Sequence, residues 1–362
     1  MDVVEVLVVA GPSLVGHPEL LRATAEAECR ALGVAGRFVA AETSAAAAQA
    51  WRAADPAGAV VMLPGDDPET RRLMTVADPP ADRTVWYDLT RTGPVAVAGG
   101  AAHLYGRGVW GLVWAIRHAV HRLRHPARRI GYGDHPEQWA ELRLPTADRP
   151  PVAVLIHGGY WRSIWAADLM DALAIDLTGR GFASWNLEYR RPDRHGWTAT
   201  SADIAAGLAA LSTVDAALDL DRVVVLGHSA GGQLALRAAA DTDRVALAVS
   251  LAGVLDLAEG HRRWVSAGAV AAALGGPPEA IPEVYAAADP MARLPLRVPQ
   301  LVVIAGDDDP DLVDMGYRYA AAARAAGDPV TELALPGDHF AVIDPASEIW
   351  RATADQLERQ LP

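Results

Sequence analysis

The stretch VVVLGHSAGGQLAL, Val223 to Leu236, constrains the fold of this 362-residue chain more than any other. A β-branched apolar run stops at a serine set between Gly227 and Gly231, and strong helix formers follow. Only glycine tolerates the close backbone approach of so cramped a strand-to-helix turn. The G-x-S-x-G spacing therefore predicts an elbow that exposes the Ser229 hydroxyl at the C-terminal edge of a central strand, above a helix N-terminus. Ala230 then offers its backbone N–H to developing negative charge. An ordinary surface turn could carry the same pentapeptide, so this reading requires an oxyanion loop, a base and an acid elsewhere.

Short apolar runs alternating with helical segments predict an α/β fold with parallel sheets. Two blocks emerge, 1–124 and 125–362, and the length alone suggests more than one core. The boundary falls in HRLRHPARRIGYGDHPEQW, where Pro126, glycines and charges interrupt the pattern. In the first block VEVLVVAG, AGAVVMLPG and DRTVWYDLT read as strands, and PELLRATAEAECRALG and GVWGLVWAIRHAVHRL as helices. Alanine's helix preference makes SAAAAQA a helix rather than a disordered tract. The second block reads as six strands: PVAVLIH, GFASWNLEY, RVVVLGH, VALAVSLAGV, PQLVVIAG and VTELALPG. Their near-continuous apolar character predicts burial on both faces.

LIHGGYW, Leu155 to Trp161, ends one of these strands. Its adjacent Gly158 and Gly159 allow the backbone to turn N–H groups, with that of Tyr160, toward a bound carbonyl oxygen. A serine also needs a base held by an acid, in the chain order Ser, acid, His for this strand–elbow arrangement. Of the two histidines after Ser229, His261 lies in polar EGHRRW and reads as exposed, whereas His339 follows the last strand in PGDHF. The acid is expected in GDDDPD after the preceding strand; Asp309 is preferred, with Asp308 next, and Asp338 reads as structural. Among nearby aromatics (Tyr160, Trp161, Trp165, Tyr189, Trp197 and Trp264), Trp161 and Trp165 are the expected substrate-binding residues.

YGDHPEQW, HGGYW, GHSAGGQLA and GDHF together make the second block, about two thirds of the chain, resemble the α/β-hydrolases, and within them the kynurenine formamidase (arylformamidase) group. Tyr160 stands where lipase-like relatives commonly carry a third glycine. The resemblance implies hydrolysis of an N-formyl aryl amide, a related amide or an ester, without metal or cofactor. It implies Ser229 as nucleophile, Asp309 as acid, His339 as base, and Gly158, Gly159, Tyr160 and Ala230 around the oxyanion. A carboxylesterase or lactone hydrolase, or a non-catalytic scaffold with a vestigial triad, are the alternatives.

LVVAGPSL, AGAVVMLPG and YGRGVWGLVWAI make the first block resemble a type II dehydroquinase, which implies a flavodoxin-like fold and homo-oligomers. Ser13 and Leu63 stand where that family has asparagines, and Asp88 aligns with its catalytic histidine. The tyrosine and arginine expected shortly after the first motif are absent from VGHPELLRA. This implies a non-catalytic domain that serves oligomerisation, covering or ligand binding, and argues against a lyase.

Composition narrows the chemistry. All 32 basic residues are arginine, which excludes Schiff-base and P-loop lysine chemistry. Cys29 is the single cysteine, so an intramolecular disulfide is excluded. A net charge of −13 disfavours nucleic acid and anionic membranes as partners and leaves a small-molecule substrate. MDVVEVLVVAGPSL has no basic region of a secretory signal, and no stretch suffices to span a bilayer, so a cytoplasmic location is expected.

Overall fold

Strand alternation sorts the first unit's apolar residues onto two faces of one sheet. The computed structural model describes residues 4–361, and the chain divides into two compact units, Met1–Pro126 and Ala127–Pro362. In the first, β1 (Glu5–Ala10), β2 (Ala35–Ala40), β3 (Ala59–Leu63), β4 (Thr84–Asp88) and β5 (Ala102–Tyr105) form a parallel sheet ordered β2-β1-β3-β4-β5. Its helices are α1 (Pro18–Ala31), α2 (Ser44–Arg52), α3 (Pro68–Arg72) and α4 (Gly111–Arg124). Val6, Val8, Val61 and Leu63 pack with α1 and α4 through Leu21, Leu112 and Ile116. Leu7, Val9, Val60 and Met62 pack on the other face with Trp51 of α2 and with Met74. This is the period-two division a pleated strand imposes. Burial pushes the Cys29 thiol up to about 11, which leaves it inert as a nucleophile near neutrality.

β2 and β5 are not legible as strands, because β2 is largely exposed and β5 has only four residues. At the end of β4, Asp88 is buried and accepts bonds from Arg71 Nη1 (2.7 Å) and Nη2 (3.1 Å), and its Oδ2 lies 2.9 Å from His103 Nε2. Burial pulls this carboxyl up, but the bonds from His103 and Arg71 outweigh it and hold it at about 2. A carboxylate depressed on folding stabilises the fold above its unfolded value, and that stability is lost as pH falls through the folded one. The cluster thus contributes about 2–3 kcal/mol above pH ~4, lost on acidification toward pH 2. Asp88→Asn is expected to flatten this part of the pH dependence in urea unfolding of the full chain; an unchanged slope would contradict the assignment.

The second unit holds eight strands: β6 (Arg128–Gly131), β7 (Trp139–Arg143), β8 (Pro151–Ile156), β9 (Ala183–Leu187), β10 (Asp219–His228), β11 (Leu247–Leu251), β12 (Gln300–Ala305) and β13 (Val330–Leu335). Their order is β13-β12-β11-β10-β8-β9-β7-β6. β8 to β13 pair in parallel, whereas β6 with β7 and β7 with β9 are antiparallel. This antiparallel edge departs from the all-parallel expectation, and β6 lies in the segment that reads as a linker because its residues are polar. The accompanying helices are α5 (Asp171–Gly179), α6 (Pro192–His195), α7 (Trp197–Ala209), α8 (Ala230–Ala239), α9 (Leu257–Arg262), α10 (Val265–Leu274), α11 (Pro282–Ala288), α12 (Pro310–Ala325) and α13 (Glu348–Gln360).

Chain order reverses at β8: β9 lies on one side of it and β10 on the other. In open α/β sheets, ligands bind outside the carboxyl ends of the strands at such a switch point. The loops there follow Ile156 and His228, the two loops that carry HGGYW and the Ser229 elbow. A cavity of about 550 Å³ lined by Leu208, Leu211, Val223 and Arg237 lies elsewhere. Val223 is six residues from Ser229, roughly 20 Å along a strand, so this cavity belongs to the opposite end of the sheet. Among the described residues, no helix is long and apolar enough to cross a membrane.

Candidate active site

Ser229 occupies φ 55°, ψ −119° between β10 and α8, a conformation non-glycine residues rarely adopt. Its N–H donates to Leu251 O (2.8 Å), and its carbonyl accepts from Gly232 N (2.9 Å). The flanking glycines are sterically required. A Cβ at Gly227 would lie 1.8 Å from Gly231 O, and one at Gly231 would lie 2.1 Å from Ile156 O. Ser229 is 1% exposed, and among the described residues its Oγ has no hydrogen-bond partner. Ala230 opens α8, so its N–H belongs to the first-turn donors that no helical carbonyl satisfies.

The three consecutive aspartates divide their work. Asp307 Oδ2 accepts from Gly337 N (2.9 Å), joining the loops after β12 and β13. Asp308 Oδ2 lies 2.7 Å from His339 Nδ1. Asp309 caps α12 by accepting from Asp311 N (2.9 Å). The aspartate against His339 is therefore Asp308, the second choice from sequence, and not the preferred Asp309. The turn after Gly306 brings the second aspartate round to the histidine and spends the third on the helix. With Nδ1–H donating to Asp308, the basic lone pair of His339 is on Nε2. Asp338 accepts from Phe340 N and Ala341 N within its own turn, and His261 is half-buried on α9 rather than exposed.

His228, next to Ser229, holds the His339 loop against the elbow. Its Nε2–H donates to His339 O (2.9 Å), and the two rings lie 4.7 Å apart. Burial, reinforced by neighbouring His339, drives the His228 pKa well below the ordinary imidazole value. His228 is therefore neutral near neutral pH.

HGGYW reaches over the serine. A Cβ at Gly158 would meet His228 O at 2.6 Å and Ser229 Cβ at 2.9 Å, so only glycine allows this approach. Gly159, Tyr160 and Trp161 follow with φ of 108°, 49° and 56°. Tyr160 is half-buried, and burial, then Asp309 and Asp308, push its phenol up to about 12, so it is protonated. Trp165 packs against Gly159, where a Cβ would lie 2.3 Å from its ring. Trp161, expected in the pocket wall, is 2% exposed, and its indole N–H donates to Gln233 Oε1 (3.0 Å). It anchors the loop from below instead. Tyr189 is also buried, Trp197 is half-buried, and Trp264 is 64% exposed.

Beneath the loop lies a buried polar lattice that strand patterning does not reveal. The His157 ring lies between Gly158 O (2.9 Å) and Glu188 Oε1 (3.3 Å) and stacks on Tyr189 at 4.4 Å. Glu188 accepts from Ala167 N and pairs with Arg191. Outside this lattice, exposed Asp193 accepts both the N–H and the hydroxyl of Ser163 at 2.9 Å. Tyr132 of YGDHPEQW donates to Glu188 O (2.6 Å), so that motif braces the lattice. Charged residues at the end of an apolar strand, LEYRRPD, were the available signal.

Residues 142–316, just under half of the chain, match the BD-FAE family model. The match takes in Gly158, Ser229 and Asp308 and ends before His339. No curated protein of comparable sequence was found. The structure is similar to a bacterial heroin esterase at 23% identity, covering 65% of this chain and 84% of that one, with a TM-score of 0.55. Esterase B from Lactobacillus rhamnosis is 20% identical over 64% of this chain and 85% of its own (TM-score 0.55). Carboxyl esterase 2 from the fungus Tuber melanosporum is 16% identical over 66% and 88% (TM-score 0.55). The second unit has the α/β-hydrolase fold. The Ser229 elbow and the HGGYW loop sit at its switch point, and the loop after β13 reaches them through the bond from His228 to His339 O.

Proposed function

We propose that the second unit is a serine hydrolase of small acyl esters, and that its preferred substrates include N-formyl aryl amides. The observation that carries the reading is the 2.7 Å contact between His339 and Asp308, on a loop that His228, the neighbour of Ser229, holds through His339 O, with Gly158 over the elbow. His339 Nε2 takes the Ser229 proton as Oγ attacks the substrate carbonyl. The oxyanion is met by backbone N–H groups drawn from Gly158, Gly159, Tyr160 and Ala230. Asp308 keeps His339 in the reactive tautomer and stabilises the imidazolium. That imidazolium then protonates the leaving alcohol or amine, and water resolves the acyl-enzyme by the reverse proton path.

Ester cleavage is supported by the similar structures, which are named as esterases. Formyl amides are supported by the HGGYW resemblance. The first unit is non-catalytic in this reading and serves oligomerisation through itself. Asp88, at the position of the related family's histidine, is held by Arg71 and His103 and is not available as a base.

The test is hydrolysis of N-formylkynurenine beside p-nitrophenyl acetate and butyrate. Turnover of the formyl amide with kcat/KM at least ten times that for butyrate is expected. Cleavage of the esters alone would keep the triad and remove the formyl assignment.

A further inference from the structure

Three consecutive residues of the oxyanion loop have positive φ, and two of them, Tyr160 and Trp161, are not glycine. Such conformations cost of order 1–3 kcal/mol each and persist only where surrounding contacts over-determine them. One such contact comes from the helix that carries the nucleophile. Gln233 stands four residues after Ser229, about one turn along α8, and is fully buried. Its Oε1 accepts the Trp161 indole N–H (3.0 Å), and its Nε2 donates to Ala288 O (2.8 Å). Both ends of the amide are spent, one on the strained loop and one on the end of α11.

Ala288 precedes Asp289, which accepts from Leu257 N and Ala258 N at the start of α9. A single side chain thus links the nucleophile helix, the oxyanion loop and the α9–α11 region. An apolar side chain of similar size would leave two buried polar partners unmatched, at Trp161 and Ala288. The loop would then lose the bond that holds its last strained residue.

We propose that Gln233 is a positioning residue: its amide fixes the height of the Gly159–Trp161 backbone above Ser229 and so sets the oxyanion donors. This rests on the hydrolase reading above. Because the donors act on charge that develops in the transition state, misplacing them lowers kcat more than it raises KM.

The experiment compares Gln233→Met, Trp161→Phe and the double variant in the full chain. Active sites are counted by the p-nitrophenol burst, so that loss of folded protein is divided out. Each single variant is expected to lower kcat per titrated site about 30- to 100-fold with KM changed less than about 3-fold. Phenylboronic acid, whose tetrahedral adduct needs the same donors, is expected to bind more weakly by a similar factor. The double variant is expected to be no worse than the poorer single one, because both remove the same bond. A kcat per titrated site within about 2-fold of wild type, or effects that multiply in the double variant, would overturn the proposal and leave Gln233 a packing residue. Failure of the wild type itself to cleave the ester would instead refute the hydrolase reading.

Discussion

Ser229→Ala is expected to reduce ester and amide hydrolysis by at least about 10⁴-fold, with the fold and substrate binding retained. Removing the nucleophile of a serine triad can cost on the order of 10⁶ in kcat, because base and acid have nothing left to activate. What survives is the contribution of oxyanion donors and binding, on the order of 10³–10⁴ over water. The elbow does not depend on the hydroxyl, since Oγ makes no hydrogen bond among the described residues and the turn is held by backbone bonds to Leu251 and Gly232. Steady-state kinetics with circular dichroism as a folding control check this. Residual activity within about 10-fold of wild type would move the chemistry to another group.

Adjacent aspartates are expected to give opposite results. Asp308→Asn should lower kcat about 10³- to 10⁴-fold, because an amide at this place no longer selects the Nδ1–H tautomer of His339 or stabilises its imidazolium. Asp309→Ala should leave kcat within a few-fold and cost about 1 kcal/mol of stability, since it removes the side chain capping α12. Both variants are measured by kcat with the same ester and by urea unfolding. Equal losses of activity, or a larger loss for Asp309→Ala, would return the acid to Asp309.

The difference between those two residues marks where sequence stops being legible. Gly227, Gly231 and Gly158 are readable because close approach leaves glycine as the only choice, so the elbow and its covering loop follow from spacing alone. His339 is readable because chain order and a loop after the last strand leave one plausible histidine. Choosing among Asp307, Asp308 and Asp309 needs the path of a turn, since a shift of one residue points the carboxylate elsewhere. Trp161 misleads for the opposite reason: its position in HGGYW suggests a pocket wall, but its indole is buried in the core and bonded to Gln233. Gln233 carries no pattern of its own, because its role depends on Trp161 and Ala288, tens of residues away.

Fold legibility follows the same division. The central strands β1, β3, β8, β10, β11 and β12 are buried and apolar throughout most of their length, and their runs stand out. β2 and β6 lie at sheet edges and expose polar side chains, so hydropathy leaves them as loops.

The most direct test of the central claim is covalent labelling by a serine-directed fluorophosphonate, with the modified residue located by peptide mass spectrometry. Rapid stoichiometric labelling at Ser229 is expected, abolished in Ser229→Ala and slowed at least about 10³-fold in Asp308→Asn. Absence of labelling in the wild type, or labelling that survives in Ser229→Ala, would contradict an activated serine at this elbow.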